Sequence, residues 1–455
     1  MSDALAFATR ENSRFQAELF DFLRIPSVSA RSEHDKDTRA AATWLAENMM
    51  RSGLKVEILE TPKHPVVLGE WRGAGKDAPT VLIYGHYDVQ PAEPLEEWSS
   101  PPFEPDVRDG NVFARGSADD KGQLFMHVKA LEAALAGDGT LPVNIVVLAE
   151  GEEEIGSPSL VPFVEKHKDR LAADVVVISD SNMFSKGQPS LLFSLRGLAY
   201  YELHARAAKS DLHSGEYGGA VPNPATALAR IIASFHDADG RIAIEGFYDD
   251  VLEWDAKTRA QIKSLPFDDE EFRKRVDATA LTGENGYSVP ERLWTRPTCE
   301  VNGLLAGYTG EGAKTVLPAK AMAKVSFRLV PSQTPAKVRK LLEAHLKKVA
   351  PTGVKIDLIE HHGGLPWKAE IGGRWFEAAS TALEAAFGKR PVLAGEGGSI
   401  PIVVEFERIL GASALMIGFS LPGNNIHAPN EWFPLDNFEK GIGALIRLYH
   451  ELGKR

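Results

Sequence analysis

Cysteine is almost absent. Cys299 stands alone among 455 residues, so the chain can form no internal disulfide and can build no site of several thiolates. A reducing, cytoplasmic setting is the expectation that follows. Basic charge is in deficit. Lys and Arg number 51 against 63 Asp and Glu, and the net charge of -12 argues against a surface that tracks nucleic-acid phosphates. No apolar run approaches the roughly 20 residues of a membrane-spanning helix. Met1 to Asn12 carries neither a basic cluster nor an apolar stretch, so no export signal is expected. Neither nucleic acid nor a membrane is therefore an expected partner. Three catalytic signatures are missing as well: His-Glu-x-x-His, Gly-x-Ser-x-Gly, and the adjacent Gly-Lys-Ser/Thr of a phosphate loop, which Gly310-Glu311-Gly312-Ala313-Lys314-Thr315 only approximates. The lone Cys299 reads as a small buried hydrophobe rather than a nucleophile.

What is present is an ordinary globular composition, 44% hydrophobic and 25% charged. The length suggests two or three domains at about 100–200 residues each. Four short apolar runs share one pattern. Thr80 to Gly85 leads into His86 and Asp88. Val143 to Ala149 leads into Glu150, Glu152, Glu153 and Glu154. Asp174 to Ser179 ends at Asp180, and Ala414 to Phe419 precedes a loop that contains His427. Such runs read as buried strands of a largely parallel sheet. Helical stretches between them, Gly122 to Ala136 and Ser159 to His167 among them, make the class α/β, with helices flanking the sheet. In open α/β sheets the ligand site lies beyond the carboxyl ends of the strands. A polar residue after one strand is an ordinary turn or cap. Four strands that all end in carboxylate or imidazole point to one site.

The middle of the chain reads differently. Alternating strands at Leu195 to Ala205, Ala321 to Leu329 and Val354 to Glu360 accompany helices near Pro224 to Asp237 and Pro335 to Val349. The charged stretch Asp249 to Thr279 is expected to be helical and solvated. This is an α+β pattern inserted into the first domain. The expected domains are 1–194 with 363–455, catalytic and metal-binding, and an inserted domain over 195–362.

The candidate metal ligands are His86, Asp119, Glu154, Asp180 and His427, a set of imidazole and carboxylate donors suited to zinc. One carboxylate can bridge two ions about 3.5–4 Å apart, with a water shared between them. Taken alone, Asp119 in Arg115-Gly116-Ser117-Ala118-Asp119-Asp120-Lys121-Gly122 reads equally as a helix cap, and Glu152-Glu153-Glu154 as a solvated acidic turn. Hydrolysis needs a base that is not consumed as a ligand. Neighbouring residues at a strand end face different sides, so Glu154 can bind metal while Glu153 accepts the water's proton and returns it to the leaving amine. Asp88, two residues beyond His86, is placed to orient that imidazole.

These motifs resemble the two-zinc peptidases that include cytosolic nonspecific dipeptidase, carnosinase, aminoacylase, acetylornithine deacetylase and succinyl-diaminopimelate desuccinylase. The resemblance rests on Gly85-His86-Tyr87-Asp88-Val89, Arg115 to Gly122, Glu150-Gly151-Glu152-Glu153-Glu154-Ile155-Gly156-Ser157, Ser179-Asp180 and Asn425-Ile426-His427, in the family's order from His86 to Asn430. It implies that His86 and Asp180 bind one zinc, Glu154 and His427 the other, with Asp119 bridging, Glu153 as general base, and a cis Asp119–Asp120 bond. Manganese or cobalt are the alternatives to zinc.

The dipeptidase branch is the closest look-alike. Asp211-Leu212-His213-Ser214-Gly215-Glu216-Tyr217-Gly218-Gly219 resembles its lid motif, which implies that His213 reaches a partner subunit's active site and stabilises the oxyanion. The inserted domain then serves as lid and dimerisation domain of a homodimer. Gly312 to Val316, with Thr315 as a substrate contact, and Ser326 to Pro331 also match. Arg328 is suited to clasp a substrate carboxylate through its planar fork, although a plain salt bridge reads as well. The Gly395 to Pro401 turn would bring Gly397, Gly398 and Ser399 around the same carboxylate. Ala428-Pro429 stands where eukaryotic dipeptidases tend to have Ser-Gln. The expected activity is hydrolysis of dipeptides or short peptides with a free C-terminal carboxylate. The alternatives are an N-acyl-amino-acid deacylase or desuccinylase of the same fold, and a catalytically silent scaffold, which the retained Glu153 and ligands disfavour.

Overall fold

Strands Asn144–Glu150, Thr80–His86, Val175–Ile178 and Ser413–Met416 lie side by side in that order, every neighbouring pair parallel. The computed structural model describes residues 1–398 and 400–454, with His362 described by its backbone alone. Antiparallel strands Val66–Trp71 and Lys55–Leu59 extend the sheet beyond Asn144–Glu150 to six strands. The parallel strands read as unbroken apolar runs because both faces are covered. Val81 and Ile83 join the main core. Tyr84, on the opposite face, meets Phe406 of the Pro401–Leu410 helix edge-on at 5.3 Å.

The chain divides into two compact units. The first comprises Met1–Phe193, Ala369–Ala394 and Ile402–Arg455, and holds the six-stranded sheet. Its core gathers Phe15 and Phe22 from the Ser2–Leu23 helix, Leu45 from Asp35–Arg51, Phe125 from Lys121–Gly137 and Leu445 from Leu435–Leu452. Helix Lys121–Gly137 is buried almost throughout. A Cβ on Gly122 would lie 2.0 Å from the Ser117 carbonyl oxygen, so only glycine lets the loop that carries Asp119 fold back over the start of this helix.

The second unit comprises Ser194–Lys368 and Gly395–Pro401. Its antiparallel sheet has the order Thr298–Ala306, Lys320–Leu329, Gly197–Arg206, Lys355–Gly364. The period of two assigns the faces. Ala199, Tyr201, Leu203 and Ala205 pack with Ala323, Val325, Phe327 and Leu329 against Leu228 and Ile231 of one helix and Val338 and Leu342 of another. The charged 249–279 stretch is helical in part. It forms two short helices, Ala256–Lys263 and Asp269–Arg275, because Pro266 interrupts the run and Asp255 and Asp268 each cap a new start. Among the described residues no helix is long and apolar enough to cross a membrane.

Candidate metal centre

His86 is the last residue of its strand and fully buried. Its Nδ1 lies 3.0 Å from the Asp88 carbonyl oxygen, which can only accept, so Nδ1 carries a proton. Nε2 lies 2.9 Å from Asp119 Oδ1. The other Asp119 oxygen, Oδ2, lies 2.9 Å from Nε2 of His427. That same nitrogen is 3.2 Å from Glu154 Oε2. An imidazole lone pair facing a carboxylate at such distances requires a cation between them, either a proton or a metal ion.

The titration behaviour expresses the same demand. Burial lowers the pKa of His86, but its contacts to Asp119 and Asp88 outweigh burial and hold it well above the ordinary value. The contacts to Asp119 and Glu154 push His427 up to about 10 against the effect of burial. Burial raises the pKa of Asp119, yet the two histidines bring it below the ordinary carboxylate range. Asp180 is pushed up to about 7, first by burial and then by the Asp119 charge. Glu153 is raised well above its usual value, chiefly by burial.

The donor atoms form two groups, each within 4.8 Å: His86, Asp119 and Asp180, and Asp119, Glu154 and His427. Asp119 belongs to both. Two imidazoles and three carboxylates, with no sulfur, are a borderline-to-hard donor set that fits a divalent ion. The Asp119–Asp120 peptide bond is cis. His427 sits in a loop where Asn425, His427 and Asn430 all have positive φ, between 56° and 62°. Non-glycine residues seldom take this conformation, and such outliers gather at functional sites.

Asp88 has a broader part than orienting His86. Its carboxylate accepts the backbone N–H of Glu153 at 3.2 Å, that of Glu154 at 3.1 Å, and the Ser29 hydroxyl at 2.6 Å. His86 Nδ1 is closer to the Asp88 backbone oxygen, at 3.0 Å, than to the carboxylate, at 3.4 Å. Gln90 donates its amide to Glu154 Oε2 at 2.8 Å. Sequence reasoning passed over Ser29 and Gln90. Gln90 lies four residues beyond His86 on the same strand-end loop, and that spacing was the available signal.

The remaining predicted residues lie in the second unit. His213 ends a two-residue strand paired with Val316–Leu317. It is exposed, and its Nδ1 accepts the Gly215 N–H at 3.1 Å. The next residue, Ser214, donates its N–H to the Thr315 carbonyl oxygen at 3.1 Å, so the 213 and 315 segments are adjacent. Arg328 stands on the sheet face opposite the helices, partly buried, and burial lowers its pKa. Arg196, not singled out from the sequence, shares its neighbourhood. Burial and then the Arg328 charge lower it to about 10, and its Nε donates to the Gly397 carbonyl oxygen at 3.2 Å. Gly398 follows in the same turn, and Ser399 lies outside the described residues.

An α/β sheet whose strand ends converge on an imidazole–carboxylate cluster is the frame of a metal-dependent hydrolase, and here of a metallopeptidase. The chain belongs to peptidase family M20/M25/M40, whose pattern matches residues 82–451. It is 32% identical over 459 residues to the Cys-Gly metallodipeptidase dug1 of Schizosaccharomyces pombe, covering 97% of this chain and 96% of the relative. It is 30% identical over 446 residues to the Beta-Ala-His dipeptidase of Homo sapiens, covering 97% and 86%. Among solved structures, the M20 family metallo-carboxypeptidase Sso-CP2 from Sulfolobus solfataricus is similar with a TM-score of 0.86 and 36% identity, over 96% of this chain and 99% of that one.

Proposed function

We propose that this enzyme hydrolyses the peptide bond of dipeptides or short peptides with a free C-terminal carboxylate, using two divalent ions, zinc foremost, with manganese or cobalt as alternatives. The observation that carries this reading is the Asp119 carboxylate, whose two oxygens each lie 2.9 Å from a different histidine nitrogen. His86 and Asp180 would hold one ion, Glu154 and His427 the other, with Asp119 shared. When bound, such ions polarise a carbonyl and lower the pKa of water from 15.7 toward about 7.

The chain's own groups do the rest. Glu153 takes the proton of the attacking water and delivers it to the leaving amine. Its carboxyl is held high by burial, and divalent cations beside it favour the ionised form that a base needs. Asp88 fixes Glu153 and Glu154 through their backbone N–H groups. His213 accepts at Nδ1, which leaves Nε2 as the protonated nitrogen, free to donate to an oxyanion. In a homodimer that donation would reach the partner subunit's substrate. Exposed apolar residues on the edge strand Thr298–Ala306, namely Val301, Leu304 and Leu305, support association through the inserted, lid-like unit. Arg328, Thr315 and the backbone of Gly397 and Gly398 would receive the substrate's carboxylate end. A cytoplasmic location accords with the single buried cysteine.

The names of the curated relatives favour dipeptides over N-acyl amino acids. The test is metal analysis of the purified protein with a substrate panel that includes Cys-Gly, β-Ala-His and N-acetyl amino acids, with and without chelator. Metal-dependent cleavage of dipeptides and inertness toward the N-acetyl compounds is expected. Faster turnover of the N-acetyl compounds would sink the dipeptidase reading.

A further inference from the structure

Glu431 is fully buried, and its carboxylate accepts four hydrogen bonds. Oε2 takes Arg115 at 2.6 Å and the Gly116 N–H at 3.0 Å, while Oε1 takes the Ala118 N–H at 2.8 Å and the Asp119 N–H at 3.1 Å. A carboxylate offers about four lone-pair sites, so none is spare. The bonds fall on one short loop, and that loop ends in Asp119.

Glu431 also lies four residues beyond His427. The residue before it, Asn430, is anchored separately: its side chain accepts the Ser99 N–H and donates to the Glu97 carbonyl oxygen, both at 2.8 Å. The segment 427–431 is therefore pinned at its far end, and from that end Glu431 grips the loop of Asp119. Asp119 and His427 are 308 positions apart in the chain, yet their side chains meet at 2.9 Å. Among the described residues no other side chain accepts a hydrogen bond from the Gly116, Ala118 or Asp119 N–H. Those buried donors would be orphaned without it.

We infer that Glu431 is a positioning residue for the metal centre. It presents the Asp119 carboxylate so that one oxygen faces His86 and the other His427, and thereby sets the affinity for divalent ions. The inference rests on the proposed reading of that cluster as a metal site. Glu431→Gln keeps the shape but places an amide N–H₂ against donors that it cannot satisfy. An outer partner of this kind typically changes metal affinity about 10–100-fold.

The experiment is calorimetric titration of Mn²⁺ into chelator-stripped, full-length parent and Glu431→Gln proteins. The melting temperature of each metal-free protein and the KM for a dipeptide are measured beside it. A Mn²⁺ dissociation constant raised about 10–100-fold, with KM unchanged, is expected. A constant within twofold of the parent overturns the inference even if the melting temperature falls, since Glu431 would then serve only the fold. A parent that takes up no Mn²⁺ removes the metal reading itself, and the inference with it. Should Glu431→Gln not fold, Arg115→Lys replaces it, because Lys keeps the charge but not the rigid fork. A smaller rise in the same constant is expected there, and an unchanged constant overturns the inference.

Discussion

Glu153 and Glu154 are adjacent, and the proposal gives them different tasks. Glu153→Gln should leave metal content at the parental level and lower kcat by about 10²–10⁴-fold, the usual weight of a positioned acid–base group. Metal analysis and turnover on one preparation check both halves. Arg328→Ala should cost about 1.5–3 kcal/mol of carboxylate binding, roughly a 10- to 100-fold rise in KM. It should also erase the preference for free over amidated dipeptides, which competition between the two substrates would measure. The clustering of His86, Asp119, Glu154, Asp180 and His427 was legible because four follow apolar strand runs and Asp119 lies in a glycine-flanked acid pair. Ser29 and Arg196 were not legible. Each acts through the direction of one side chain across the fold, and local sequence carries no trace of that.

Between elements, the helix Lys121–Gly137 is tied to a strand end by one imidazole. His127 is fully buried, with Nδ1 2.8 Å from the Tyr449 hydroxyl and Nε2 2.8 Å from Ser179 Oγ, just before Asp180. Burial lowers its pKa from 6.5 to about 3. Below pH 6.5 the unfolded chain takes up a proton here that the folded chain refuses, so stability falls with acid by up to about 1.4 kcal/mol per pH unit. Between pH 7 and pH 5 this amounts to about 2 kcal/mol. His127→Asn should flatten that part of the pH dependence, as urea unfolding at the two pH values would reveal. A parental slope in the variant would place the acid sensitivity elsewhere. The apolar runs revealed the parallel strands because burial on both faces leaves little room for polar residues. The helical character of the 249–279 segment was readable from its composition, but its break at Pro266, with new starts capped by Asp255 and Asp268, was not.

For the whole molecule, bound divalent ions would add stability through linkage, by about 2.7 kcal/mol at 100 times the dissociation constant. Stripping with chelator should therefore lower the melting temperature as well as end turnover, and added Zn²⁺ or Mn²⁺ should restore both. Scanning calorimetry with and without chelator tests this, and identical curves would argue against a metal centre of any strength. The α/β class was readable from the alternation of runs. The return of Gly395–Pro401 to the second unit was not, since a seven-residue excursion leaves no compositional mark.

The order of the five clustered side chains along the chain has a further consequence during synthesis. His86, Asp119, Glu154 and Asp180 leave the ribosome early, and the whole second unit follows before His427 and Glu431 emerge. The nascent first unit thus waits, with four of its five donors made, for a strand and a loop near the far end of the polypeptide. A chain halted after residue 401 would carry the inserted unit entire and the acids of the centre in place, yet lack the second imidazole and the carboxylate that braces the shared aspartate.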